Sequence, residues 1–122
     1  MAISNRLLDL RERSTEFALR VIRLYAALPK NSVAQVLGKQ VLRSGTSVGA
    51  QYREAHRARS TSEFISKMGG ALQELEETGY WLDLLVRGNV VSAKRLADLR
   101  RETDELTAIF FSSIRTARKR KP

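Results

Sequence analysis

Few residues of this chain have types and spacing that could do chemistry. There is one histidine, His56, and no cysteine, so a thiolate nucleophile or a cysteine-based metal site is excluded. A di-iron site in a helical protein wants Glu-x-x-His on two helices and two further glutamates. Here Glu54 precedes His56 by two positions, which puts the pair on different helix faces, so no metal is expected. Glu74, Glu76 and Glu77 crowd one stretch, and Glu74 and Glu77 share a helical face with Tyr80 or Trp81. Paired carboxylates can do acid–base work, but no nucleophile, base or phosphate loop accompanies these. "MGGAL" from Met68 to Leu72 is two glycines in a helix rather than a phosphate cradle. The carboxylates are read as ion-pair partners of a basic helix in the same or an adjacent subunit. No enzyme, catalytic residue or cofactor is expected.

What remains is charge. The net charge is +9 on 13.8 kDa, with a pI near 10.6, which implies attraction to an anionic partner, nucleic acid first and acidic protein or membrane surface second. The bases are unevenly placed. Residues 61–91 are acidic overall, whereas the segments before and after are basic. In the stretch "RSGTSVGAQYREAHRARS", a wheel at about 100° per residue puts Lys39, Arg43, Arg53 and Arg57 within one sector of about 80°. Leu37, Val41 and Val48 centre nearly opposite, and Gly45 and Gly49 fall on the flank between. Each mid-helix glycine costs roughly 1 kcal/mol against alanine. Close approach of another helix, in the same bundle or in another subunit, would offset it.

These residues need helices to position them, and helical period dominates the chain. Ile3, Leu7, Leu10, Ser14, Phe17, Val21, Leu24 and Leu28 follow alternating gaps of four and three, the seam of a bundle. Pro29 ends that helix, and Asn31 or Ser32 can cap the next, which runs to about Arg57 with Val33, Leu37, Val41, Ser44, Val48 and Ala55 inward. A third helix opens at Ser60, Thr61 or Ser62, with Glu63 near its positive end. It carries Phe64, Ile65, Met68, Leu72, Leu75, Gly79, Leu82 and Val86, and closes at Gly88 or Asn89 in a left-handed conformation. Ser92 opens a fourth, with Leu96, Leu99, Thr103, Leu106, Phe110, Ser113 and Ala117 on one stripe. Short turns force antiparallel neighbours. The expected fold is all-α: an antiparallel up-down-up-down four-helix bundle over residues 1–117 with a basic tail at 118–122. No run of about eighteen apolar residues suggests a membrane span, and "MAISNRLLDLRERS" lacks the apolar core of a signal peptide. The expected location is the cytoplasm.

The segment Leu42 to Leu85, "LRSGTSVGAQYREAHRARSTSEFISKMGGALQELEETGYWLDLL", resembles the four-helix-bundle proteins encoded in intervening sequences of bacterial 23S rRNA genes. That broad family includes the accessory variability protein of diversity-generating retroelements. The likeness rests on Ser44, Ser47, Gly49 and Ala50, on Glu54–Ala55, on Phe64 and Lys67, and on "ALQELEETGYWL" from Ala71 to Leu82. Gln51 stands where members often carry Asn. The resemblance implies a ring-shaped homopentamer, no known enzymatic activity, and association with nucleic acid or a ribonucleoprotein. The expected nucleic-acid contacts are Lys39, Arg43, Arg53, Arg57 and Arg59, with Arg115, Arg118, Lys119, Arg120 and Lys121 near the C-terminus. They would touch RNA or DNA phosphates with little regard to sequence, and Tyr52 is the one aromatic interleaved among them. Gly45, Gly49, Tyr80 and Trp81 are expected at helix-packing or subunit contacts. The alternative is a protein-interaction scaffold that docks a reverse transcriptase or a ribonucleoprotein component.

Overall fold

The structure, a computed structural model, describes the backbone of residues 2–120 and the side chains of residues 10–120. It holds α1 (Ala2–Ala27), α2 (Ser32–His56), α3 (Thr61–Arg87) and α4 (Ala93–Lys119). Three turns of a few residues each make consecutive helices antiparallel, which gives the up-down-up-down bundle.

The helix ends are set by local chemistry. Asn31 caps α2 by accepting from the Ala34 amide at 2.9 Å. Ser60 caps α3 by accepting from the Glu63 amide at 3.0 Å, and the Glu63 carboxylate reaches back to the Arg59 amide at 3.1 Å. Ser92 caps α4 through the Arg95 amide at 3.3 Å. At the end of α3 the left-handed residue is Asn89, with φ of 60°, whereas Gly88 stays at −83°. Asn tolerates that region better than other non-glycine residues.

The core is a continuous apolar cluster running from Leu10, Phe17 and Val21 of α1 through Met68, Leu75 and Leu82 of α3 to Leu106 and Phe110 of α4. The seam expected for α1 is buried at Leu10, Ser14, Phe17, Val21 and Leu28, while the side chains of Ile3 and Leu7 lie outside the described residues. Helix α2 is rotated from its expected face. Val33 is 61% exposed, Leu37 is half-buried, and the buried set is Ala34, Gly38, Val41, Ser44, Gly45, Val48, Gly49, Tyr52 and Ala55. The face therefore turns onto the glycines, because α1 seats on them. In α3 the inward stripe is Met68, Ala71, Leu75, Thr78, Leu82 and Leu85, so Leu72, Gly79 and Val86 move to its edge. In α4 Ile114 takes the place expected of Ser113 and Ala117. Arg118 and Lys119 form the last helical turn rather than a tail, Arg120 caps it, and Lys121 lies outside the described residues.

Helix α2 packs closely on both neighbours. A Cβ built on Gly45 would stand 2.7 Å from Val21 Cγ2 of α1, and one on Gly49 would stand 3.3 Å from Ser14 Oγ. Toward α3 the Ser44 hydroxyl donates to the Gln40 carbonyl at 2.9 Å and accepts from the buried Thr78 hydroxyl at 2.8 Å. Helices α1 and α4, by contrast, barely touch. Arg13 spans them, donating to both carboxylate oxygens of Glu102 at 2.7 and 3.1 Å and to Glu105 at 3.0 Å.

Candidate nucleic-acid interface

The stripe of bases on α2 divides into two parts. Arg43, at mid-helix, donates to Glu74 at 3.3 Å and to Glu77 of α3. The hydrogen bond to Glu77, ahead of the opposing desolvation, holds its guanidinium above its usual range. This positive charge is matched by two negative ones on the next helix. Lys39 is exposed one turn earlier.

The C-terminal end of α2 is different. Arg53, His56 and Arg57 meet Arg11 of α1 around a cavity of about 70 Å³, with Tyr52 as its wall. The turn at Pro29–Asn31 sets the antiparallel register that brings Arg11 opposite Tyr52, just as Ser14 lies against Gly49. Arg53 reaches only a hydroxyl, Thr15 Oγ1, at 3.4 Å, and no carboxylate pairs with Arg11, Arg53 or Arg57 among the described residues. Glu54, next to Arg53 in sequence, feels the Arg57 charge and pairs with Lys67 at 2.6 Å. That hydrogen bond holds the Glu54 carboxyl below its usual range and the Lys67 ammonium above its own.

Tyr52 is not the exposed aromatic that its neighbours in sequence suggested. It is 1% exposed, meets Phe110 edge-on at 5.9 Å between ring centroids, and carries His56 stacked at 6.2 Å. Its ring face is therefore closed to a nucleobase. Burial pushes its phenol up, with the Arg11 charge opposing. Positive charge also suits this end of the helix, where the unpaired carbonyls leave a partial negative charge.

The remaining expected residues scatter. Arg59 is exposed in the turn before α3. Arg115 lies 6.0 Å from the centre of the half-exposed Phe111 ring, and Arg118, Lys119 and Arg120 are exposed where α4 ends. Because the bundle is up-down-up-down, α2 and α4 end at the same pole, so these bases share it with Arg53 and Arg57. Gly45 and Gly49 are buried under α1 rather than on the flank. Tyr80 is 56% exposed and tilted against half-buried Trp81 at 5.1 Å, and the Trp81 Nε1 is buried without a hydrogen-bond partner. Among the described residues no three His, Asp or Glu side chains gather as metal ligands would, and no helix is long and apolar enough to cross a membrane.

Sequence reasoning missed Arg11, and it missed a second basic opening. The gap between α1 and α4 is a groove of about 300 Å³ floored by Leu24, Ala27, Val91, Leu96 and Leu99, with Arg20, Arg23 and Arg95 on its rim. On a single-helix wheel neither group lines up with the stripe. Only the antiparallel register set by the turns relates them.

The family model described as 23S rRNA-intervening sequence protein matches residues 6–112. A solved structure, that of a protein of unknown function from the S23 ribosomal protein family of Bacteroides thetaiotaomicron, is similar at 38% identity and a TM-score of 0.84, covering 89% of this chain and 97% of that one. No curated protein matches the chain significantly.

Proposed function

The chain belongs to the 23S rRNA-intervening sequence protein family, and we propose that it is a non-enzymatic, oligomeric bundle that binds nucleic acid through phosphates at its basic pole. The observation that carries this reading is the convergence of Arg11, Arg53, His56 and Arg57 on one cavity with no acid facing them, while Arg43 on the same helix is neutralised. What sets Arg11, Arg53 and Arg57 apart is that they line one cavity with no carboxylate in its lining, and guanidinium geometry suits phosphate. Arg59, Arg118, Lys119 and Arg120 widen the field around the cavity. The proposal includes assembly into a ring of five and action in the cytoplasm. The exposed apolar residues Ile22, Val36, Tyr80 and Phe111 suit a subunit contact.

The test is binding to matched RNA and DNA across a salt series. Arg53→Glu with Arg57→Glu is expected to weaken binding at least tenfold. It should also make the log–log salt slope shallower by about 1.5, since each lost phosphate contact removes roughly 0.7–0.9. Unchanged affinity and slope would remove the pole as the site. A second reading, a scaffold for a protein partner, is favoured by the arginine-rimmed apolar groove between α1 and α4. A partner that stays bound after nuclease treatment and is lost with Arg20→Glu and Arg95→Glu would establish it.

A further inference from the structure

The shape of the basic cavity says more than its sign. A polynucleotide backbone is a line of monoanions and is matched by a track of bases. Here the track is interrupted: Arg43 is held by Glu74 and Glu77, and the free bases of α2 instead close around one point with Arg11 from α1. We infer that the Arg11–Arg53–His56–Arg57 cavity takes a single terminal phosphate monoester, the phosphorylated end of a nucleic-acid strand, in preference to an internal phosphodiester. The inference rests on the nucleic-acid reading above and narrows it.

Volume, oxygen count and charge all point to a monoester. A cavity of about 70 Å³ is on the scale of one phosphate group, and it opens to solvent at the exposed side chains of Arg11, Arg53, His56 and Arg57. A strand end brings one attached sugar to that mouth, whereas an internal diester brings two. An internal diester also offers two non-bridging oxygens. A terminal monoester offers three, one for each of the three guanidinium groups, and its charge at neutral pH is about −1.5 to −2 rather than −1. The wall is a buried tyrosine with a histidine stacked on it, so the site is fixed on its inner side.

The test uses the full-length protein and one RNA sequence in four forms: 5′-phosphorylated, 3′-phosphorylated, with both ends hydroxyl, and ligated into a circle. Either phosphorylated form, or both, is expected to bind about tenfold more tightly than the hydroxyl form and the circle, the difference that one additional charge-assisted hydrogen bond brings. Arg11→Gln and Arg57→Gln are expected to abolish that preference while leaving weaker, end-independent binding through the rest of the pole. Circular dichroism melting checks that both variants fold, and if either does not, inorganic phosphate replaces mutation: it should compete away the preference in the unaltered protein and leave circle binding in place. Equal affinity for all four RNAs would overturn the end-recognition inference and leave the nucleic-acid reading standing. Binding to none of them at low salt would overturn both.

Discussion

Arg43 and Arg53 stand on the same outward face of one helix, ten residues apart, and the molecule uses them differently. Around Arg43, α2 is clamped from both sides. Val21 of α1 closes on Gly45, and Thr78 of α3 donates to Ser44, while Glu74 and Glu77 take up the arginine's charge. Around Arg53, α2 is ending and no acid stands opposite. A cavity opens there among four bases. The middle of the helix serves assembly of the bundle, and its end is left for something outside. What separates them is the identity of the residues that neighbouring helices bring up.

The strongest way to break this contrast is to disturb the clamp. Gly45→Ala would push a methyl to within 2.7 Å of Val21 Cγ2 and 3.2 Å of Val21 Cβ. A β-branched side chain on a helix has one strongly preferred rotamer and cannot turn aside, so α1 must move. Overpacking of this kind costs about 1–3 kcal/mol, and we expect about 2 kcal/mol lost in urea unfolding even after the gain in helix propensity. Gly69 on α3 is the control, because a Cβ there would meet nothing within 4 Å. Gly69→Ala should stabilise by about 1 kcal/mol. If both substitutions moved the midpoint the same way, the close approach of α1 and α2 would not be what fixes Gly45.

A second change should sharpen the contrast in charge. Glu74→Gln with Glu77→Gln releases Arg43 and removes two negative charges from α3. The expected result is a several-fold gain in RNA affinity and a salt slope steeper by roughly 0.7–0.9, one phosphate contact more. Binding unchanged from the unaltered protein would mean that the middle of α2 is closed to the ligand by geometry, whatever its charge.

Much of this was legible beforehand, and the failures have a common physical source. Four helices, their order and their caps follow from periodicity and from Pro29, Asn31, Ser60 and Ser92, all local signals. In the run Ser44, Ser47, Gly49 and Ala50 that carried the resemblance, Ser44 packs against Thr78 and Gly49 against Ser14, with Gly45 between them against Val21, while Ala50 is exposed. What the sequence hid is relational. Val33 looked inward by period alone and is 61% exposed, because a wheel drawn for one helix cannot know that its partner prefers the glycine side. Tyr52 looked like a nucleic-acid aromatic because bases flank it in sequence, but helix neighbours at adjacent positions point apart, and Phe110 of α4 lies behind it. Arg11 was missed for the converse reason. It is distant in sequence and near in space.

The smallest expected effect lies where the two regions of α2 meet. Glu54 directly follows Arg53 of the basic pole, and its carboxylate is taken by Lys67 at 2.6 Å. Its carboxyl, held by that hydrogen bond, titrates below its ordinary value of 4.5. A carboxyl with a lowered folded pKa adds stability that is present above the unfolded value and lost as the pH falls through the folded one. Lys67, raised above 10.5, keeps its part below that value and loses it as the pH climbs through the folded one. The pair therefore stabilises α2 against α3 across the neutral range and fades at both extremes. Both groups are exposed to solvent, so the effect is small. Melting of Glu54→Gln should fall slightly below that of the unaltered protein at pH 7, and the gap should close as the pH falls through the folded carboxyl's titration. A gap that did not narrow at all on acidification would mean that Glu54 acts through something other than its charge. The same substitution leaves Lys67 unpaired beside the pole, so phosphate binding should strengthen slightly, not weaken. The acid's partner, rather than its position in the sequence, decides whether it shields the site.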